Sequence, residues 1–193
     1  LMRPYAASEH EFLELIRAQG HQDPVRIDTT WLAVGHVDEA ITFLPAPSER
    51  GWIVAVADPE LAYTILERAA TGAGGDTAVF DDHAEHRRSL GEVLADSELR
   101  AANRIATTAI DEIIETLTTA LGLASSDIVP VPVLFGHELI EGLFGHELIE
   151  GPAREGRSTG GSDDESLGLG AYFPNAVNGQ HLGDGVFLAV MLA

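Results

Sequence analysis

Six consecutive apolar residues, Trp52 to Ala57 (WIVAVA), run straight into Asp58-Pro59. A strand with one wet face alternates apolar and polar residues, so an unbroken apolar run predicts a strand covered on both faces. Asp58 is a strong helix cap, and proline suits the first helical position because its missing N–H is not needed there. A strand buried on both sides that feeds a helix is a β–α unit of a layered α/β domain. Ser97 to Leu121 predicts a second, longer helix. Leu99, Ala102, Ala106, Ile110, Ile113, Leu117 and Leu121 recur at helical spacing, and Gly122 closes it. Ile128 to Phe135 predicts another strand, confined by Pro130 and Pro132 to an edge or irregular position.

The 193 residues suit one medium domain or part of a larger one, and a hydrophobic fraction of 45% can furnish a core. All 11 basic residues are arginine, and the formal charge is −20. That charge argues against nucleic acid or an anionic membrane as partner and favours cationic ligands. Cysteine is absent, which excludes disulfides, thiolate metal sites and a cysteine nucleophile within these residues. No apolar run reaches a membrane span and no signal segment opens the chain, so the default location is the cytoplasm. The chain opens on Leu1 rather than methionine, which predicts a longer parent polypeptide. The pattern sets no oligomeric state.

Elsewhere the elements are shorter. Ser8 to Glu11 (SEHE) has the form of a capping box ahead of an apolar stripe of Phe12, Leu13 and Ile16, with Gly20 as the stop. This predicts a short surface helix. Val25 to Ile27 begins a strand. Leu61, Ile65 and Leu66 form the stripe of the helix after Asp58, which ends near Gly72. Residues 73–75 form a loop and Ala78 to Phe80 a short strand. Asp81 to His86 (DDHAEH) reads more simply as a solvated loop than as a metal cluster. LFGHELIEG occurs at 134–142 and again, unchanged, at 143–151. His137/Glu141 and His146/Glu150 are spaced for one helix face, but the zincin pattern needs a second histidine where the glutamates stand. Pro152 to Gly170 is rich in Gly, Ser and Asp and reads as a loop. The expected organisation has a duplicated, Gly-rich insertion at 136–170 and a divergent tail at 179–193. Within that tail, Gly179 to Gly185 is loop-like and Val186 to Leu192 strand-like.

Chemistry concentrates in Asp28 to Pro47 (DTTWLAVGHVDEAITFLPAP). Read as a strand, Leu32, Val34, His36 and Asp38 share one face, with Trp31, Ala33, Val37 and Glu39 on the other. An imidazole beside a carboxylate suits binding a cation and moving protons. A hydrogen-bonded histidine near a strand end, with Asp38 opening a turn, is the plainer alternative.

Three blocks in register carry a resemblance. WLAVGHVDE (31–39) with FLPAP (43–47), LGLASSDIVPVPVLF (121–135), and YFPNAVN (172–178) with His181 to Gly183 together resemble the catalytic domain of the protein-arginine deiminases. The resemblance implies a five-bladed α/β propeller of the guanidine-modifying (pentein) type, incomplete over residues 1–193. It also implies hydrolysis of peptidyl arginine to citrulline and ammonia. His36 then matches the proton-shuttling histidine and Asp38 the second guanidinium-binding aspartate, with Val34 and Asn178 as further substrate-binding positions. A planar cation with several N–H donors fits paired carboxylates. The family's first aspartate, its nucleophilic cysteine and its calcium ligands fall outside the stretch these residues match. Calcium is therefore implied for the family, with no ligand for it here. The implied partner is an arginine-containing peptide or protein. A non-catalytic guanidinium-binding module and a deiminase of a small guanidine such as agmatine are the alternatives. One copy of the repeat is surplus to such a domain, so deleting Leu143 to Gly151 is expected to leave the thermal denaturation midpoint nearly unchanged. A large fall would make the repeat structural.

Overall fold

The computed structural model describes residues 7–21, 23–79, 87–137, 168–172, 175–183 and 186–189. In chain order the elements begin with α1 (Ala7–Ala18), β1 (Ile41–Pro45), β2 (Trp52–Asp58), α2 (Pro59–Ala73) and β3 (Ala78–Val79). They continue with β4 (Arg88–Ser89), α3 (Leu90–Ala95), α4 (Ser97–Leu121) and β5 (Ile128–Pro132). β6 (Phe135–Gly136), β7 (Gly170–Ala171), β8 (Gly179–Gly183) and β9 (Val186–Ala189) complete the order. The architecture is mixed α/β with small sheets, and the described residues close no barrel. No helix among them is long and apolar enough to cross a membrane.

The main sheet has the order β1-β2-β5. β1 pairs antiparallel with β2, and β5 pairs parallel with it, Val54 opposite Ile128 and Asp58 opposite Pro132. The parallel pair requires a crossover, which α2, α3 and α4 supply. Val54 to Ala57 are all buried in the central strand, as an unbroken apolar run demands. β5 lies on the outer side of this sheet, where Pro130 and Pro132 leave no missing ladder donor on a second side.

α4 covers the sheet with the face its spacing specifies. Ala102, Ala106, Ile110, Ile113 and Leu117 are buried and Leu121 partly so, packed with Val54, Val56 and Ala57, while Leu99 is buried further along the helix. Asp96 caps it through Oδ1, which accepts from the amides of Glu98 (3.0 Å) and Leu99 (2.9 Å). Gly122 ends it in the left-handed conformation at φ 62°, which a residue without Cβ adopts freely. One polar side chain crosses this interface. Asn103, 1% exposed, donates to the carbonyls of Leu99 (2.7 Å) and Phe135 (2.8 Å) and accepts from the Phe135 amide (2.8 Å). A smaller cluster of Ala62, Tyr63, Val93, Leu99, Leu134 and Tyr172 joins α2, α3 and α4.

Several local expectations are corrected. Val25 to Ile27 is irregular, although Val25 and Ile27 still pack on the core. Ser8 lies inside α1 rather than before it, and Phe12 is 59% exposed, so the helix presents much of its stripe to solvent. The buried face of α2 is Ala62 and Tyr63, while Ile65 is exposed, because α3 and α4 approach it from one position further round. The run from Ile128 to Phe135 breaks after Pro132 into β5 and β6. Leu169, at the end of the expected Gly-rich loop, is 2% exposed and belongs to the core. Gly179 to Gly183 is a strand paired with β9 rather than a loop. The rest of the 136–170 insertion, the second repeat copy included, lies outside the described residues beyond His137 and before Gly168.

The Asp96 carboxyl is held below its ordinary value of 3.8, first by the Leu99 amide and further by the Arg88 guanidinium. A lowered folded pKa means the stabilisation is present above 3.8 and is lost as pH falls through the folded value. Asp96→Ala is expected to cost about 1–2 kcal/mol at neutral pH. Asp96→Asn, which keeps the cap and loses the charge, is expected to cost less, and its deficit should vanish in acid. Denaturant melts at neutral and acidic pH measure both.

Candidate functional site

The stretch around His36 is a clamped turn. The Leu32 amide donates back to the Thr29 carbonyl (3.1 Å), which ends any extended run before it reaches His36. Leu32 itself is buried and forms an isolated parallel bridge with Leu169. The Leu169 amide donates to the Trp31 carbonyl and the Ala33 amide to the Leu169 carbonyl, both at 2.8 Å. This approach requires Gly168, where a Cβ would stand 2.5 Å from the backbone of Ala33. Gly35 then takes φ +74°, a conformation glycine adopts without strain, and turns the chain outward. His36 is extended (φ −83°, ψ 125°) and leads into a 3₁₀ turn at Val37–Glu39, in which the Glu39 amide donates to the His36 carbonyl (3.2 Å).

The expected strand with His36 and Asp38 on one pleated face is therefore not formed. The two residues flank a 3₁₀ start, because the paired carboxylates of Asp38 and Glu39 and the preceding glycine favour a turn over a ladder. Val34 (57% exposed), His36 and Asp38 all present their side chains to solvent. The walls behind them are apolar: Ala40, Ile41 and Leu32 are buried.

The second half of the turn is held by a segment remote in sequence. Asn175, 4% exposed, donates from Nδ2 to the Glu39 carbonyl at 2.7 Å, and its Oδ1 accepts from the Val177 amide at 2.9 Å. Val177 is fully buried and Asn178 half-buried, so the segment bearing Asn178 docks directly against the turn bearing Asp38. Asn175 was quoted within YFPNAVN without a role. Its burial comes from packing and leaves no periodic trace, although Pro174-Asn175 does mark a turn.

Glu39 is the one buried acid in this turn, 7% exposed, and its Oε1 has no hydrogen-bond partner. Burial pushes its carboxyl above the ordinary 4.5, against the pull of the His36 amide and imidazole, with the charge of Asp38 adding to the rise. Sequence reading placed Glu39 opposite His36 and assigned it nothing.

A groove of about 500 Å³ lies elsewhere on the same stretch, lined by Arg26, Asp28, Thr30 and Trp31 facing Ile105 and Glu112 of α4. It does not include His36 or Asp38. Among the described residues no three histidine or acidic side chains converge in a metal-binding arrangement, and calcium takes six to eight oxygens. This donor set does not fit calcium. The Asp81 to His86 cluster and the HELIE glutamates lie outside the described residues.

Because the folded state disfavours ionised Glu39, the unfolded chain releases that proton first. Stability is then lost as pH rises from 4.5 through the raised folded value. Glu39→Gln is expected to melt higher than the wild type at neutral pH, with the gap closing below 4.5. A neutral-pH loss on substitution would show that ionised Glu39 has a partner of real worth.

Rat protein-arginine deiminase type-4 is 31% identical over 188 residues, 93% of this chain and 25% of the relative. Human protein-arginine deiminase type-1 is 38% identical over 121 residues, 62% of this chain and 18% of the relative. The human type-4 protein is 34% identical over 128 residues. The chain thus spans about a quarter of the length of the curated relatives it matches. The family's own pattern runs over residues 3–189, past Asn178 and through β8 to the end of β9. On that match the chain belongs to the protein-arginine deiminase family.

Proposed function

We propose that this chain forms part of a protein-arginine deiminase catalytic domain, a hydrolase unit that converts peptidyl arginine to citrulline and ammonia. The reading includes a partial five-bladed α/β propeller, of which the β1-β2-β5 sheet and its crossover helices would be one portion. The observation that carries it is the clamped turn. In a family whose relatives are named for arginine deimination, the turn sends Val34, His36 and Asp38 to the surface while burying its own backbone anchors.

In this reading Asp38 accepts N–H bonds from the guanidinium plane and Val34 packs on the alkyl stem of the arginine. Asn178, on the segment docked against the turn, is the further substrate-binding position. His36 gives a proton to the departing ammonia and takes one from the incoming water. Covalent catalysis would proceed by attack of a thiolate on the guanidinium carbon, with loss of ammonia and then hydrolysis of the carbon–sulfur bond. No cysteine is present among these 193 residues, so the nucleophile is not supplied by them. The second reading is a guanidinium-binding module without turnover. The acidic balance of −20 suits a cationic substrate in either case.

Purified chain is expected to release no citrulline from benzoyl-arginine amide, with or without calcium. It should bind that compound weakly, losing the binding in Asp38→Ala. Colorimetric citrulline assay and titration calorimetry test this, with agmatine as the small-guanidine comparison. Turnover abolished by His36→Ala would overturn the division of the site. Tighter binding of agmatine than of the peptidyl mimic would favour the small-guanidine branch.

A further inference from the structure

We infer that Asn175 is a positioning residue for the His36–Asp38 turn. It sets the reach of Asp38 toward a guanidinium group by holding the carbonyl of the residue that follows. The inference rests on the guanidinium-binding reading of Asp38 and adds a residue to it. Three observations meet at Asn175. Its amide donates 2.7 Å to the Glu39 carbonyl across 136 positions of sequence. Its own oxygen is taken by the Val177 amide at 2.9 Å, which orients the side chain so that the donor can point only one way. It is 4% exposed beside Val177 at 0%, so water does not compete for either bond.

The mechanical argument follows from where the turn is otherwise held. Its entry is tied by the backbone pair of Leu169 with Trp31 and Ala33, and its exit by the Ala57 amide donating 2.9 Å to the Ala40 carbonyl. Between those anchors lie Val34 to Glu39, with Gly35 as a free hinge. The internal bonds of this span, Glu39 to His36 and Ala40 to Val37, are 3₁₀ bonds, which are poorer in geometry than α-helical ones. Asn175 provides a side-chain anchor on the span, placed one residue after Asp38. A carboxylate must sit within a fraction of an ångström of its ideal place to make two bonds to a planar cation. Losing this anchor would leave Asp38 attached but loosely aimed.

Asn103 offers a control, since it too is buried and bonds only backbone groups, in its case in α4 and β6 away from the turn. Asn175→Ser and Asn103→Ser should both lower the melting temperature. Asn175→Ser alone should weaken binding of benzoyl-arginine amide, by about tenfold, the effect of one lost hydrogen bond to a buried carbonyl. Independently of any ligand, hydrogen exchange at the Glu39 and Ala40 amides should quicken in Asn175→Ser while the β2 amides keep their wild-type protection. Asn175→Asp, which keeps the acceptor and removes the amide donor, should behave like the serine variant. Unchanged exchange at Glu39 and Ala40 in both variants would overturn the inference. Equal loss of affinity in the Asn103 and Asn175 variants would overturn it too, since general destabilisation would then suffice. If the wild-type chain binds no guanidine, the binding-site reading falls, and the exchange measurement still decides whether Asn175 holds the turn.

Discussion

The structure depends on the burial of one helix stripe against one strand. α4 lays Ile110, Ile113 and Leu117 onto Val54, Val56 and Ala57, and each large side chain contributes roughly 1.5–3 kcal/mol on leaving water. Most of that gain offsets the entropy of ordering the chain, so a few polar bonds decide how uniquely the layers sit. Asn103 is one such group, because its two bonds to the Phe135 backbone fix the rotation of α4 relative to Phe135. Phe135 in turn receives the edge of Trp31, with ring centroids 5.1 Å apart, and Trp31 is where the functional stretch begins. The path from core to site is therefore short: α4, Phe135, Trp31, then the turn.

At the turn the same economy is applied to backbone rather than side chains. His36 and Asp38, the groups assigned chemistry in the proposed reading, are exposed, and the groups that hold the turn are tucked inward. Leu169 and Asn175 supply the anchors, one at the end of the duplicated and glycine-rich stretch and the other just after it. That stretch, whatever its own form, must return the chain to the core at Gly168. There a side chain would collide with Ala33. Glu39 shows the cost of the arrangement: a carboxyl forced under the surface with one oxygen unpartnered, beside two groups that must remain free. Local violations of this kind are expected where a site is built, since function and packing compete for the same residues.

Guanidinium recognition asks for several acceptors in one plane, and these residues offer only part of such a set. Membership of the deiminase family combined with coverage of about a quarter of the relatives' length makes that partial inventory unsurprising. In the proposed reading the physical division is between positioning, assigned to this turn, and bond-making, for which no thiol is present in these residues. The two can be studied apart.

Sequence alone determined what local chemistry and strong periodicity control. The WIVAVA run specified a strand buried on both faces. Asp58-Pro59 specified the start of α2, and the spacing of Leu99 to Leu121 with Gly122 specified both ends of α4 and its buried face. Pro130 and Pro132 limited β5 to an outer position, since a missing donor tells against a central strand whatever its partners. The wording of GHVDE identified the residues of interest but not their geometry. Alternation predicted a strand, and the structure has a 3₁₀ turn, because apolar pattern over so short a span cannot distinguish the two. Tertiary structure alone decided which residues were anchors. Asn103, Leu169 and Asn175 matter through partners 32 to 138 positions away, and no local pattern encodes the residue that will face a given side chain after folding. Those long-range pairings hold an exposed acidic turn in one place on the core.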